Sequence, residues 1–342
     1  MRKVCYLTKF LKVSFFFILL FVLTISSIGV LSFNQNNDVK SMGSVKHLEV
    51  YIVYDNYVFK GGLKPAWGIS FYIIADGTVL LFDTGGDGQI LINNMRKMNL
   101  NPEDVKIVVL SHIHSDHIGG LHSLLEINNH VTIYLPSSFP KDLKDEIRST
   151  GAKVVEVKEP MVICEGIAST GEIPSSIGLY EQSLVINTTN GVIILTGCAH
   201  PGVDNIVKRV IKTFNCSKIL LVGGGFHLAG ASDKRIMDII KELEKYNVRL
   251  VMPIHCSGDR ARSLFKNAYN GRCILGGVGF SFTLKDLERL AEIEPSSNLT
   301  TSITTVTITK ELKMTLTYRL TLPLILLFGV TLLIIILLRR RS

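Results

Sequence analysis

The stretch Ser111-His112-Ile113-His114-Ser115-Asp116-His117-Ile118-Gly119-Gly120 places four metal-competent side chains within six residues, directly after the apolar run Lys106-Ile107-Val108-Val109-Leu110. The run reads as a buried strand, and the histidine-rich segment as the loop leaving its C-terminal end. Neutral imidazoles and an ionised carboxylate are borderline ligands suited to zinc, with manganese or iron as other occupants. In an extended loop His112 and His114 point the same way and can hold one ion. Asp116 and His117, past the bend, can face a second. The glycine pair then allows a tight turn into a helix beginning near Leu121. The plain alternative is a polar surface loop that happens to be rich in histidine. The strand in front of it favours a metal site.

If one strand end carries ligands, others should too. Val79-Leu80-Leu81-Phe82-Asp83-Thr84-Gly85-Gly86 ends a buried strand with a carboxylate before a glycine turn. Asp83 is expected to accept the free ring N–H of a ligating histidine or to steady the metal loop. Gly191-Val192-Ile193-Ile194-Leu195-Thr196-Gly197-Cys198-Ala199-His200 ends another strand and offers His200 as third ligand of the first ion. Leu250-Val251-Met252-Pro253-Ile254-His255 ends a third, and His255 would complete the second ion. His227 follows Gly223-Gly224-Gly225, whose glycines permit close backbone approach, and is read as a pocket residue or a ligand. His47, His122 and His130 lack such settings.

Around these points the block 45–293 alternates strands and helices. Strands are expected over His47–Asp55, Ile69–Ala75, Thr78–Phe82, Lys106–Leu110, Val131–Leu135, Lys153–Val157, Met161–Ile167, Ser183–Asn187, Gly191–Leu195, Lys218–Val222, Arg249–Ile254 and Cys273–Leu284. Helical spacing of apolar residues marks Gln89–Met98, Lys141–Arg148, Val203–Thr213, Lys234–Tyr246 and Arg260–Tyr269. Two β-rich halves, each with helices for one outer face, imply an α/β four-layer αββα sandwich. About 245 residues suffice for one such core.

Both ends carry uncharged apolar runs, Val13–Phe33 and Leu320–Leu338, each near the ~20 residues that cross a bilayer. Arg2, Lys3, Lys9 and Lys12 precede the first, and Arg339-Arg340-Arg341 follow the second. By the positive-inside rule both ends would be cytoplasmic and the folded block would face outside the cytoplasm. The expected organisation is a signal peptide or membrane anchor at 1–34, the catalytic domain at 45–293, a Ser/Thr-rich stalk at 295–318 and a transmembrane helix at 320–338. A further strand is the alternative for the stalk. The seven flanking basic residues account for all but one unit of the +8 net charge. The folded block is therefore near neutral, which argues against a nucleic-acid partner and for a small-molecule substrate. Five cysteines remain beyond Cys5, an odd number with no paired spacing, so no disulfide framework is implied.

Taken together, Asp83 in its Asp-x-Gly turn, the His-x-His-x-Asp-His run and the later strand-end histidines resemble the metallo-β-lactamase superfamily. Thr196-Gly197-Cys198-Ala199-His200-Pro201-Gly202, Gly224-Gly225-Phe226-His227-Leu228 and Pro253-Ile254-His255-Cys256-Ser257-Gly258 resemble, more narrowly, its branch of dihydropterin ribofuranosyl-aminobenzene phosphate synthases. The resemblance implies an αββα fold with one or two zinc-type ions in a cleft at the sandwich edge. His112, His114 and His200 would hold the first, and Asp116, His117 and His255 the second. Aligned by strand, Glu172 stands where superfamily hydrolases carry a histidine and Cys198 where they carry the bridging Asp, with His200 or His227 supplying the missing imidazole.

Three functions fit. One is a membrane-anchored metal-dependent hydrolase in which an activated water, oriented by Asp116, attacks a small phosphoester, ester or amide. Another, implied by the branch, is a transferase condensing a dihydropterin diphosphate with ribofuranosylaminobenzene 5'-phosphate, with the ions or His227 helping to bind the diphosphate leaving group. The third is a metal-binding surface protein without catalysis. The outward location expected above favours the hydrolase. Specificity would reside in the loops Tyr57–Trp67 and Gly171–Tyr180, whose side chains name no substrate, and the oligomeric state is not readable.

Overall fold

In the strand Gly191–Thr196 the side chains of Ile193 and Leu195 enter one buried cluster and those of Val192 and Ile194 another. A strand covered on both faces needs a layer on each side. The computed structural model, which describes residues 39–293, supplies both layers. The first half of the chain contains β1 (Leu48–Tyr54), β2 (Ser70–Ala75), β3 (Thr78–Phe82), α1 (Gly88–Lys97), β4 (Ile107–Val109), α2 (Ser115–Ile118), α3 (Leu121–Ile127), β5 (Thr132–Pro136), α4 (Lys141–Ser149) and β6 (Lys153–Val157). The second contains β7 (Met161–Cys164), β8 (Ile167–Ser169), β9 (Ile173–Pro174), β10 (Tyr180–Glu181), β11 (Leu184–Thr188), β12 (Gly191–Thr196), α5 (Val203–Phe214), β13 (Ile219–Gly225), α6 (Asp233–Lys245), β14 (Leu250–Ile254), α7 (Asp259–Tyr269), β15 (Ser281–Thr283) and α8 (Leu284–Ala291).

One sheet has the order β15-β1-β2-β3-β4-β5-β6 and the other β14-β13-β12-β11-β8-β7. Val50, Phe71 and Phe82 of the first meet Ile186, Leu195 and Met252 of the second in the central core. Leu81, Val108 and Ile133 face α1, α3 and α4 through Leu91, Leu124 and Ile147. Ile194, Val222 and Val251 face α5, α6 and α7 through Ile206, Ile240 and Phe265. This is the expected αββα sandwich. Strands β3 to β6 run parallel in one sheet and β12 to β14 in the other, so the segments following them emerge together at strand C-terminal ends, where α/β folds place ligands.

Some elements depart from expectation. Met161–Ile167 is not one strand but the β7–β8 hairpin, because Gly166 turns with φ +72°. Of Cys273–Leu284 only β15 is strand, and the chain then enters α8, which the sequence reading did not anticipate. The helix starts with a capping box: the Asp286 N–H donates to Thr283 Oγ1 (3.2 Å) and the Thr283 N–H to Asp286 Oδ2 (3.0 Å). The ribbon β9–β10 was likewise not anticipated, and it matters for the site.

The expected membrane placement is corrected. Among the described residues no helix is long and apolar enough to cross a membrane, so nothing there supports an anchored, outward-facing domain. The proposed segments 1–34, 295–318 and 320–338 lie outside the described residues.

Candidate metal centre

Because β3 and β4 are parallel neighbours, their following turns leave side by side and knit together. The Asp83 N–H donates to Val109 O (2.9 Å), Thr84 N–H to His117 O (2.7 Å) and Gly120 N–H to Gly85 O (3.2 Å). A Cβ on Gly120 would lie 2.1 Å from Thr84 O, and one on Gly119 2.4 Å from Gly86 O. Both glycines have ordinary helical backbone angles, φ −62° and −85°. Close approach of two backbones, not a special turn, therefore demands glycine here.

Asp83 is fully buried at the base of the site and adopts φ +58°. Its carboxylate accepts the Ser111 N–H (2.6 Å) and hydroxyl (2.7 Å), and contacts His117 Nδ1 at 2.7 Å. That bond turns His117 Nε2 toward Cys198 Sγ, 3.2 Å away. Burial pushes the Asp83 carboxyl up to about 7, against the charge of His112 and the Ser111 donors. Burial also drives His112 and His117 down to about 3, so both rings stay neutral with lone pairs available. His112 Nε2 faces His114 Nδ1 at 3.1 Å.

His200 is held from the second sheet. Glu181, at the end of β10, accepts the backbone N–H groups of Cys198, Ala199 and His200, each at 2.8 Å, and meets His200 Nδ1 at 2.8 Å. Burial raises its pKa, but His112, the His200 bond and the backbone donors outweigh this and hold the carboxyl well below the usual range. His255 is oriented by the turn after β1. Its N–H donates to Asp55 Oδ1 (3.1 Å), and its Nδ1 lies 3.1 Å from Asn56 Oδ1. Its Nε2 is buried without a hydrogen bond, 3.3 Å from Asp116 Oδ2. Burial alone would raise Asp116, yet the close approach of His255 and the His117 charge hold its carboxyl far below normal.

Three donor groups result, each with ligand atoms within 4.8 Å of one another: His112, His114 and His200; Asp116, His117, Cys198 and His255; and Cys198, His200 and His227. A buried His255 Nε2 with no hydrogen bond costs free energy unless something binds it. Converging neutral imidazoles with a carboxylate and a thiol fit a borderline divalent ion. Asp83, Ala199, His227 and His255 all adopt left-handed backbone, strain that clusters where function needs it.

The profile of the metallo-beta-lactamase superfamily matches residues 66–235. A 7,8-dihydropterin-6-methyl-4-(beta-D-ribofuranosyl)-aminobenzene-5'-phosphate synthase from Methanocaldococcus jannaschii is 31% identical over 278 residues, covering 67% of this chain and 94% of that protein. The chain belongs to the metallo-beta-lactamase superfamily. A second M. jannaschii relative, the uncharacterized protein MJ0448, is 30% identical over 261 residues, 67% of this chain and 98% of its own length. Among solved structures, Tm1679, a metal-dependent hydrolase of the beta-lactamase superfamily, is 27% identical with a TM-score of 0.58, covering 69% of this chain and 98% of that one.

Within this superfamily fold the structure brings His112, His114, Asp116, His117, His200 and His255 into the donor groups, sets Asp83 behind His117, and places the His227 ring 4.4 Å from that of His200. A hydrogen bond to Cys256, outweighing burial, raises the His227 pKa. Cys198 joins two groups, in keeping with a bridging position. Glu172, expected where superfamily hydrolases carry a histidine, stands apart from the donor groups. It accepts from Ser137 Oγ (3.1 Å) and Ser138 N (2.6 Å). The sequence reading missed Glu181, Asp55 and Asn56. Asp55 follows an apolar strand as Asp83 does, so that signal was available. Glu181 had none, because only the β9–β10 ribbon brings it beneath His200.

Proposed function

We propose that this chain is a metal-dependent transferase that joins a dihydropterin-type methylene carbon to an aromatic amine. The observation that carries the reading is its similarity to the M. jannaschii synthase over nearly that protein's whole length. Zinc-type ions, when bound, supply Lewis acidity toward a leaving-group oxygen. His112, His114 and His200 would hold one ion, and Asp116, His117, Cys198 and His255 the other. The amine nitrogen forms a bond to the methylene carbon as the carbon–oxygen bond breaks, and the diphosphate leaves with the electron pair. His227, exposed at the rim, binds the departing anion. Asp116, partly open to solvent, orients the amine and passes its proton outward. Asp83, Glu181 and Asn56 hold the ring tautomers of His117, His200 and His255, so each directs one nitrogen inward.

Hydrolysis of a small phosphoester or ester at the same centre is the second reading, favoured by the likeness to Tm1679. The test is to incubate the metal-loaded protein with a dihydropterin diphosphate and ribofuranosylaminobenzene 5'-phosphate, with generic phosphodiesters in parallel. A coupled product seen by mass spectrometry and lost in His114→Ala supports the transferase. Phosphodiester turnover without coupling replaces it with the hydrolase.

A further inference from the structure

The sequence contains a single tryptophan, and the fold puts it beside the donor cluster with its face open. The Trp67 ring lies 4.9 Å from that of His255 at an interplanar angle of 54°, yet the residue is 57% exposed. Its exposure does not come from a loose loop. The Ala66 N–H donates to Asp55 O (3.1 Å) and the Ile69 N–H to Asp116 O (3.4 Å). A Cβ on Gly68 would fall 2.4 Å from Asp116 O, and one on Gly86 3.0 Å from Trp67 O. The backbone is thus tied to Asp55 before the indole and pressed onto Asp116 after it.

Of the six large hydrophobic residues exposed among the described residues, Val58, Phe59 and Trp67 lie on the 57–67 loop, Ile177 and Tyr180 on the β9–β10 ribbon, and Ile293 on neither. Tyr180 directly precedes Glu181, which holds His200, whereas Trp67 touches His255. Exposed apolar surface is therefore fixed at the His255 side of the cluster by Trp67. Exposed aromatic faces beside convergent polar groups suit a ligand that is flat and apolar on its face and polar at its edge.

We infer that Trp67 is the stacking platform for a planar heteroaromatic ring of the substrate, a specificity-determining residue that touches no metal. This rests on the reading of the site as one acting on a ring compound at its donor cluster. It goes further in naming the residue that selects flat rings over aliphatic phosphates or esters.

The lone tryptophan makes the test direct. The metal-loaded full chain is titrated with a reduced pterin and, in parallel, with glycerol phosphate, following indole emission corrected for ligand absorbance and heat by calorimetry. Saturable quenching by the pterin but not by glycerol phosphate is expected. Trp67→Leu should weaken pterin binding about tenfold, as loss of one stacking face does, with metal content unchanged, and Trp67→Phe should recover part of it. Pterin that fails to bind, that binds without changing the emission, or that binds Trp67→Leu equally well overturns the inference. Coupling activity in the same preparations separates the two claims. Coupling that is indifferent to Trp67 keeps the transferase and removes the platform. Trp67-dependent pterin binding without coupling keeps the platform and removes the transferase.

Discussion

Replacing Glu181 by Gln tests whether one buried carboxylate holds the His200 side of the site together. Oε1 accepts two backbone N–H groups and Oε2 accepts one more besides the His200 ring. An amide keeps one oxygen, so either way round its NH₂ meets two donors that a carboxylate oxygen had satisfied. Hydrogen bonds to a charged group contribute ~1.5–3 kcal/mol each. Two lost bonds therefore cost ~3–6 kcal/mol of a total stability on the order of 5–15 kcal/mol. With His200 no longer locked, metal affinity should fall ~10–100-fold. Urea unfolding of the metal-free protein reads the first quantity, and competition with a chromophoric chelator reads the second. A variant with wild-type stability and a metal Kd within about twofold of wild type would refute the assignment of Glu181.

Three further outcomes are expected. In metal-free protein, His112 and His117, with folded pKa values near 3, lose stability as pH falls from ~6.5 toward 3, whereas Asp83, raised to about 7, contributes with opposite sign between ~4 and 7. Asp83→Asn removes that opposing contribution, so its stability should fall more steeply on acidification from pH 7 to 4, by up to ~1.4 kcal/mol per pH unit, in urea titrations with chelator present; an unchanged slope contradicts this. His114 is exposed, so His114→Ala should leave stability within ~0.5 kcal/mol while elemental analysis shows loss of one ion's worth of binding. Gly120→Ala sets a methyl against the Thr84 carbonyl and should cost ~1–3 kcal/mol and weaken metal binding, measured by thermal melts and metal content; normal values for both would show that the two turns can separate.

Strand-end chemistry was legible in the sequence because it is local. A buried strand such as Lys106–Leu110 has to end in a loop, and four donors in six residues at that end have a purpose that periodicity and coordination chemistry both reveal. Thr78–Phe82 and Lys153–Val157 were read to the residue, since each is a short apolar-rich run just after a glycine-containing turn, Asp76-Gly77 and Thr150-Gly151. The 273–284 stretch was misread because its apolar residues suggest a strand, while Gly276, Gly277 and Gly279 interrupt it and Thr283 with Asp286 starts a helix. The terminal runs suggested a membrane setting from hydropathy alone, which the described fold does not support.

What the sequence by itself determined is the donor inventory and the layered alternation of strands and helices, both encoded in short-range spacing. What only the tertiary structure decided is what stands behind the donors and that Cys198 lies among them. Glu181 reaches His200 across nineteen residues, and Asn56 reaches His255 across 199. Cys198 meets His117 across 81. Such pairings depend on how two sheets pack and where their strand ends converge, and no local pattern carries that information.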